Sequence, residues 1–183
     1  MQPEESKSKA MRAVDAQGEP VALGEFNGFE VYPMPMFATL SVAEVAAVAK
    51  WYEEALGFRI MFQGPAIGGQ HSLVHLRRAK YQDLLLVPIT SNTANQAPAS
   101  MTLSFQAEDV DALAGRARAA ASLGVSAIEG PIDTPWNTRD LRVTDPAGHR
   151  LVFTTRQTNP DPAQFERVKK MFDAAGKTGR SSE

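Results

Sequence analysis

The chemistry open to this chain is set by three histidines, two tryptophans and the absence of cysteine. His71 and His75 stand four residues apart in QHSLVHLR. On a helix that spacing lets two imidazoles grip one metal ion. The segment reads as a strand, however, where four residues span roughly 13 Å while two Zn–N bonds reach only about 4 Å. The pair shares a face but not an ion. His149 follows the glycine of DPAGH, where a turn-stabilising role is expected, and Asp145 is expected to brace the same turn. Lack of cysteine excludes disulfides, thiolate catalysis and thiolate metal sites. No G-x-S-x-G segment occurs, and the glycines form no phosphate loop. Arg77, Arg78 and Lys80 read as a solvated turn rather than an anion site. Trp51 falls in a helical pattern and is expected in the core. Trp136, flanked by Pro135 in a loop, is free to stack on a flat or cationic ligand, worth about 0.5–2 kcal/mol.

Composition narrows the classes further. A formal net charge of −2 makes no electrostatic case for nucleic acid or an anionic membrane. No apolar run approaches the length a bilayer span needs. The opening MQPEESKSKAMRAVDAQGEP mixes charges and has no apolar stretch, so no secretory signal is expected and a cytoplasmic protein is the default.

The elements that must position these residues come as a repeat. TLSVAEVAAVAKWYEEALGFRIMFQGP at 39–65 is echoed by TLSFQAEDVDALAGRARAAASLGVSAIEGP at 102–131. Thr39 pairs with Thr102, Gly57 with Gly124 and Gly64 with Gly130. One repetition at such an offset marks a duplicated supersecondary unit rather than a solenoid. Strands are expected at 36–42, 58–63, 70–77 and 83–89. In the first of them Phe37, Thr39 and Ser41 share one face, with Ala38, Leu40 and Val42 on the other. The helix between carries Val45, Val48, Tyr52, Ala55 and Leu56 at helical spacing. Ser41 and Glu44 fit a capping box, with Ala43 the alternative boundary, and Gly57 fits a left-handed C′ position. The second unit reads as strands at 101–107, 125–129, 140–144 and 150–155. Its helix, about 109–123, is closed by Gly124, and GPIDTPWNTRD makes a long turn.

The fold class is therefore α+β, two β-α-β-β-β modules at about 35–90 and 100–157 within a domain at 25–157. A flexible tail is expected at 1–24 and another at 176–183. DPAQFERVKKMF predicts a C-terminal helix at 158–175. Asp161 is its N-cap, Pro162 its first position, Gln164 completes its box, and Phe165, Val168 and Phe172 form its apolar stripe.

Paired β-α-β-β-β units, WYEEALGF at the end of the first helix and the closing DPAGHRLVF together resemble the vicinal oxygen chelate superfamily of glyoxalases, extradiol dioxygenases, fosfomycin-resistance enzymes and bleomycin-resistance proteins. The resemblance covers about residues 35–155, and PWNTRDLRVTDPAGH is most similar to the bleomycin-resistance branch. It implies half-cup sheets that together enclose a site, and, for the enzymes, four His, Glu or Gln ligands on a divalent metal. Matching motif to motif puts those positions at Phe37, at Leu85 or Leu86, at Thr102 and at Val152. None is a ligand of that type, so no metal and no cofactor are expected.

By the same resemblance Trp136, Phe37, Thr39, Thr102, Ser104 and Val152 become candidate ligand contacts, a largely apolar floor with a few hydroxyls. The resemblance implies a metal-free protein that sequesters a planar or aromatic compound, with antibiotic resistance as the analogy. It also implies a homodimer whose cleft the partner completes, the extended segment at 32–36 reaching across. The rivals are a lyase, isomerase or dioxygenase of the same superfamily, and a module that recruits a protein through its terminal helix and N-terminal arm.

Overall fold

A computed structural model describes residues 24–26, 29–31, 34, 36–90, 101–124, 127–158, 162–163, 166–167 and 169–170. In chain order the elements are β1 (Gly24–Phe26), β2 (Phe29–Val31), β3 (Ala38–Val42), α1 (Val45–Leu56), β4 (Arg59–Gln63), β5 (Ala66–Ile67), β6 (Gln70–His71), β7 (Val74–Arg77) and β8 (Asp83–Pro88). After these come β9 (Thr102–Gln106), α2 (Val110–Ala119), a 3-10 turn at Ala121–Leu123, β10 (Ala127–Asp133), β11 (Thr138–Thr144) and β12 (Arg150–Arg156). The main sheets run β3-β8-β7-β4 and β9-β12-β11-β10. In each, the first strand lies parallel to the last and the remaining pairings are antiparallel. Two β-α-β-β-β half-cups of one topology are present, and the α+β expectation holds.

Each sheet buries one face under its own helix because its apolar residues alternate. Leu40, Val42, Val74, Leu76, Leu84 and Leu86 line the covered face of the first sheet, and Phe105, Leu141, Val143, Leu151 and Phe153 that of the second. These residues, with Val45, Val48, Trp51, Tyr52, Ala55 and Leu56 from α1 and Val110, Leu113 and Ala117 from α2, form a single core. Trp51 is fully buried, as a packing residue should be. Its ring meets Tyr52 edge-on at 5.2 Å, and the chain of ring contacts continues through Phe58 and Phe105 to Phe153.

Three polar contacts fasten the units across that core. Arg116 of α2 donates from Nε to Glu54 O and from Nη2 to Glu53 O, both 2.6 Å, satisfying carbonyls that the last turn of α1 leaves without helical partners. Arg78 donates to Leu56 O and to Gln106 O, and its guanidinium lies over the Phe153 ring. The expected solvated Arg78 is thus a strut between units. Tyr52 donates its hydroxyl to Asp145 Oδ2 at 2.8 Å. Asp145, itself buried, also accepts from the backbone N–H of Ala147 and His149 and from His149 Nδ1. The expected turn brace holds the first helix as well.

Several boundaries differ from the sequence reading. The strand expected at 70–77 is two strands, because residues 64–73 fold back on themselves: Gly64 N donates to Leu73 O and Ser72 N to Pro65 O. The long turn expected at 130–140 is mostly strand, with only 134–137 between β10 and β11. Glu44 is the N-cap of α1 with no side-chain capping bond, so the Ser41–Glu44 box does not form. Gly57 is left-handed, φ 72°, as its C′ position requires. Gly124 instead has extended backbone, φ 174°. Its role is close approach, since a Cβ there would stand 2.9 Å from Pro146 Cγ. The β1–β2 hairpin is an addition, flagged in the sequence by the Asn27-Gly28 dipeptide between its strands.

Positions 162–163, 166–167 and 169–170 carry helical backbone. Phe165, Val168 and Phe172 of the expected apolar stripe lie outside the described residues, as do 1–23 and 176–183 of the expected tails and residues 91–100 between the two modules.

Burial, then the nearby Asp145 charge, raises the Tyr52 pKa well above its ordinary value of about 10. The folded state keeps a proton that the unfolded chain releases. Stability is therefore lost as pH climbs past about 10 toward the folded-state value. Tyr52→Phe should lower stability at pH 7 by about 1–2 kcal/mol and abolish this part of the alkaline loss. Urea denaturation of both proteins at pH 7 and at alkaline pH checks both effects.

Candidate functional site

Each sheet keeps one face free of its helix, and pairing register states which residues share it. Across the first sheet Thr39, Leu85, His75 and Phe62 stand in one row. Asp83 and Arg77 pair in the next row. Across the second, Ser104, Val152, Arg142 and Glu129 form a row, beside a row of Thr102, Arg150, Thr144 and Ala127. Of the two leucines considered at the second metal position, Leu85 lies on the open face and Leu86 is fully buried.

The six candidate contacts are thus distributed over three places. Thr102, Ser104 and Val152 lie together on the open face of the second sheet, and Thr102 and Val152 border a groove of about 340 Å³ there. Thr39 belongs to the open face of the first sheet, and Phe37, just before β3, is 46% exposed. Trp136 tops the β10–β11 hairpin and is 61% exposed. Its turn is firmly built. Thr134 N donates to Thr138 O at 2.7 Å, the two threonine hydroxyls meet at 2.7 Å, and Asn137 takes φ 62°, the left-handed residue that three-residue hairpin loops use. From Thr138 to Arg142 beside the groove, the strand runs roughly 13 Å.

One charged cluster has no counterpart among the sequence expectations. Asp83 is buried on the otherwise open face of the first sheet, where its Oδ1 accepts from His75 Nε2 and Arg77 Nε, both at 2.7 Å. The side chains of His75 and Arg77 are only 16% and 12% exposed. A carboxylate only accepts, so the hydrogen of this contact sits on Nε2. His75 Nδ1 then faces away, without a partner among the described residues. Such a histidine is oriented by a carboxylate and able to exchange a proton at Nδ1. The available signal was the alternation of His75, Arg77, Asp83 and Leu85 with core leucines on β7 and β8. His71 sits on β6 instead and contacts Gly64 O through Nδ1 at 2.9 Å.

Residues 36–153, spanning both half-cups, match the glyoxalase/bleomycin resistance protein/dioxygenase superfamily. The chain belongs to this superfamily. Solved structures agree on the fold. TioX from Micromonospora sp. ML1 is 24% identical with a TM-score of 0.53, covering 66% of this chain and 97% of its own. TnmS3, an antibiotic binding protein from Streptomyces sp. CB03234, is 22% identical with a TM-score of 0.52, covering 66% and 93%. The hypothetical protein SA1046 from S. aureus is 19% identical with a TM-score of 0.53, covering 68% and 95%. No curated protein matches the chain.

The positions that motif matching assigned to a divalent metal carry no donor set of the expected His, Glu or Gln type. Phe37, Leu85 and Val152 offer no lone pair and Thr102 a single neutral hydroxyl. Among the described residues no three His, Asp or Glu side chains converge, and no helix is long and apolar enough to cross a membrane.

Asp83→Asn keeps the shape of the carboxylate and takes its charge from beneath Arg77 and His75. Removing one partner from a largely buried pair should cost about 3 kcal/mol. Thermal or urea denaturation of the variant measures it, and a loss well below 1 kcal/mol would show that water already compensates the pair.

Proposed function

We propose that this superfamily member is a metal-free binding protein that sequesters a planar or aromatic small molecule. It acts as a homodimer in the cytoplasm, with antibiotic resistance as its biological sense. The observation that carries the reading is the pair of open sheet faces, where apolar side chains and hydroxyls stand among a few charged groups, with residues unsuited to a metal at the matched ligand positions. TnmS3, an antibiotic binding protein of the same fold, supports sequestration over turnover. Phe37, Thr39, Thr102, Ser104 and Val152 line the site in this proposal, and Trp136 stacks on the ligand. Phe37 and Phe62, 46% and 50% exposed on the first half-cup, supply apolar surface for a second copy that completes the cleft.

One observation favours a second reading, an enzyme using metal-free acid–base chemistry. It is His75, oriented by Asp83 with Nδ1 unengaged.

Native mass spectrometry should find a dimer of the 19.8 kDa chain without a stoichiometric metal ion. A monomer at tens of micromolar, or one bound transition metal per chain, would contradict the proposal.

Trp136→Ala should weaken the best planar ligand found by fluorescence screening about 5- to 30-fold, equivalent to roughly 1–2 kcal/mol. Its thermal midpoint should barely move, since the indole packs on little. Trp51→Ala, by contrast, should lose stability first. Unchanged affinity in Trp136→Ala makes the indole a surface residue. Turnover of a screened compound that disappears in His75→Gln moves the conclusion to the second reading.

A further inference from the structure

The groove on the second half-cup is bordered by two arginines that pair with no carboxylate among the described residues. Arg142 on β11 and Arg150 on β12 both border its volume of about 340 Å³. Register pairs Arg142 with Val152 and Arg150 with Thr144, so the arginines are diagonal neighbours on one face. At that relation Cα atoms stand about 7–8 Å apart, within joint reach of long side chains. Neither guanidinium has a hydrogen bond or ion pair among the described residues. The contrast with other arginines is direct: Arg77 is paired with Asp83 and Arg139 with Asp111 and Asp133.

Two like charges on adjacent strands repel, and a sheet face that served only solubility would alternate signs there. The nearby carboxylates do not cancel them. Glu129 is the register partner of Arg142 but makes no ion pair with it. Asp140, one row on, accepts from the Thr138 hydroxyl at 2.9 Å. The hydroxyls of Thr102 and Thr144 and the methyls of Val152 complete the border. The groove therefore offers two cationic forks, neutral donors and a small apolar patch, with one carboxylate to the side.

We infer that this groove binds an oxyanion, and that the compound the protein sequesters is an aromatic acid whose carboxylate lies between Arg142 and Arg150. The inference rests on the sequestration reading and narrows it. It excludes the cationic ligands that an exposed indole alone would equally accept. Two guanidiniums fit a carboxylate because each presents parallel N–H donors at the spacing of its oxygens.

The test uses the full chain and three fluorescent probes of one shape: anthracene-2-carboxylate, 2-(hydroxymethyl)anthracene and 2-(aminomethyl)anthracene, the last a cation at pH 7. The carboxylate should bind at least tenfold more tightly than either other probe and weaken with added salt. Arg142→Gln and Arg150→Gln should each lose about tenfold or more for the carboxylate and little for the alcohol. Arginine Nε–H NMR signals of both residues should shift saturably with the carboxylate, a readout that does not depend on either variant folding well. If all three probes bind equally, or the ammonium probe binds best, the anion assignment is overturned while sequestration of planar compounds stands. If no probe binds, both fail. Tight carboxylate binding that leaves both arginine signals unmoved places the anion elsewhere and also overturns the assignment.

Discussion

A four-stranded sheet with a helix on one face only is half a structure, and everything else in this chain follows from how that deficit is met. Each β-α-β-β-β unit buries its apolar face under its own helix, and the helices then need cover of their own. They find it in each other, so that one core runs from Leu40 to Phe153. The contacts that hold this arrangement are polar as well as apolar. Tyr52 reaches Asp145, and Arg116 closes the carbonyl end of α1. The Tyr52–Asp145 bond satisfies two groups that burial would otherwise leave costly, and the Arg116 contacts lie at the exposed rim of the same junction.

Spending both apolar faces on the shared core leaves the two other faces to chemistry. Duplication made the folds alike but not the surfaces. On the first sheet the charge is internally settled: Asp83 takes a hydrogen bond from each of His75 and Arg77, and all three side chains are nearly closed to water. On the second sheet Arg142 and Arg150 border an open groove and pair with no carboxylate among the described residues. A settled cluster stabilises and orients, whereas an unsettled one awaits a ligand. The two half-cups thus differ in charge: the first carries one imidazole oriented by a buried carboxylate, the second two arginines beside a groove.

A fold carries no activity of its own, and the positions that motif matching assigned to a metal carry Phe37, Leu85 or Leu86, Thr102 and Val152. A methyl or phenyl group offers a metal no lone pair, whereas apolar side chains beside hydroxyls are the usual lining of small-molecule sites.

Much of the architecture was legible in the residues alone. Thr-Leu-Ser openings, Leu-Gly helix ends and Gly-Pro closings recur in both units, and alternation along β3 sorted Thr39 and Ser41 from Leu40 and Val42 because side chains in a strand change face at every residue. Gly57 announced its left-handed turn, since only glycine takes that conformation without cost. Other features depend on partners far away in sequence. Gly124 looked like a second Gly57, but the demand on it is the ring of Pro146, which no local pattern records. Arg78 looked solvated until Leu56, Gln106 and Phe153 came to meet it. The break at Ser72 and the strand character of 130–133 follow from pairing rather than propensity, which is why boundaries moved there. Above all, the isolation of Arg142 and Arg150 is a property of the assembled sheet. Sequence names two arginines eight residues apart, and only the β11–β12 register makes them diagonal neighbours on one face.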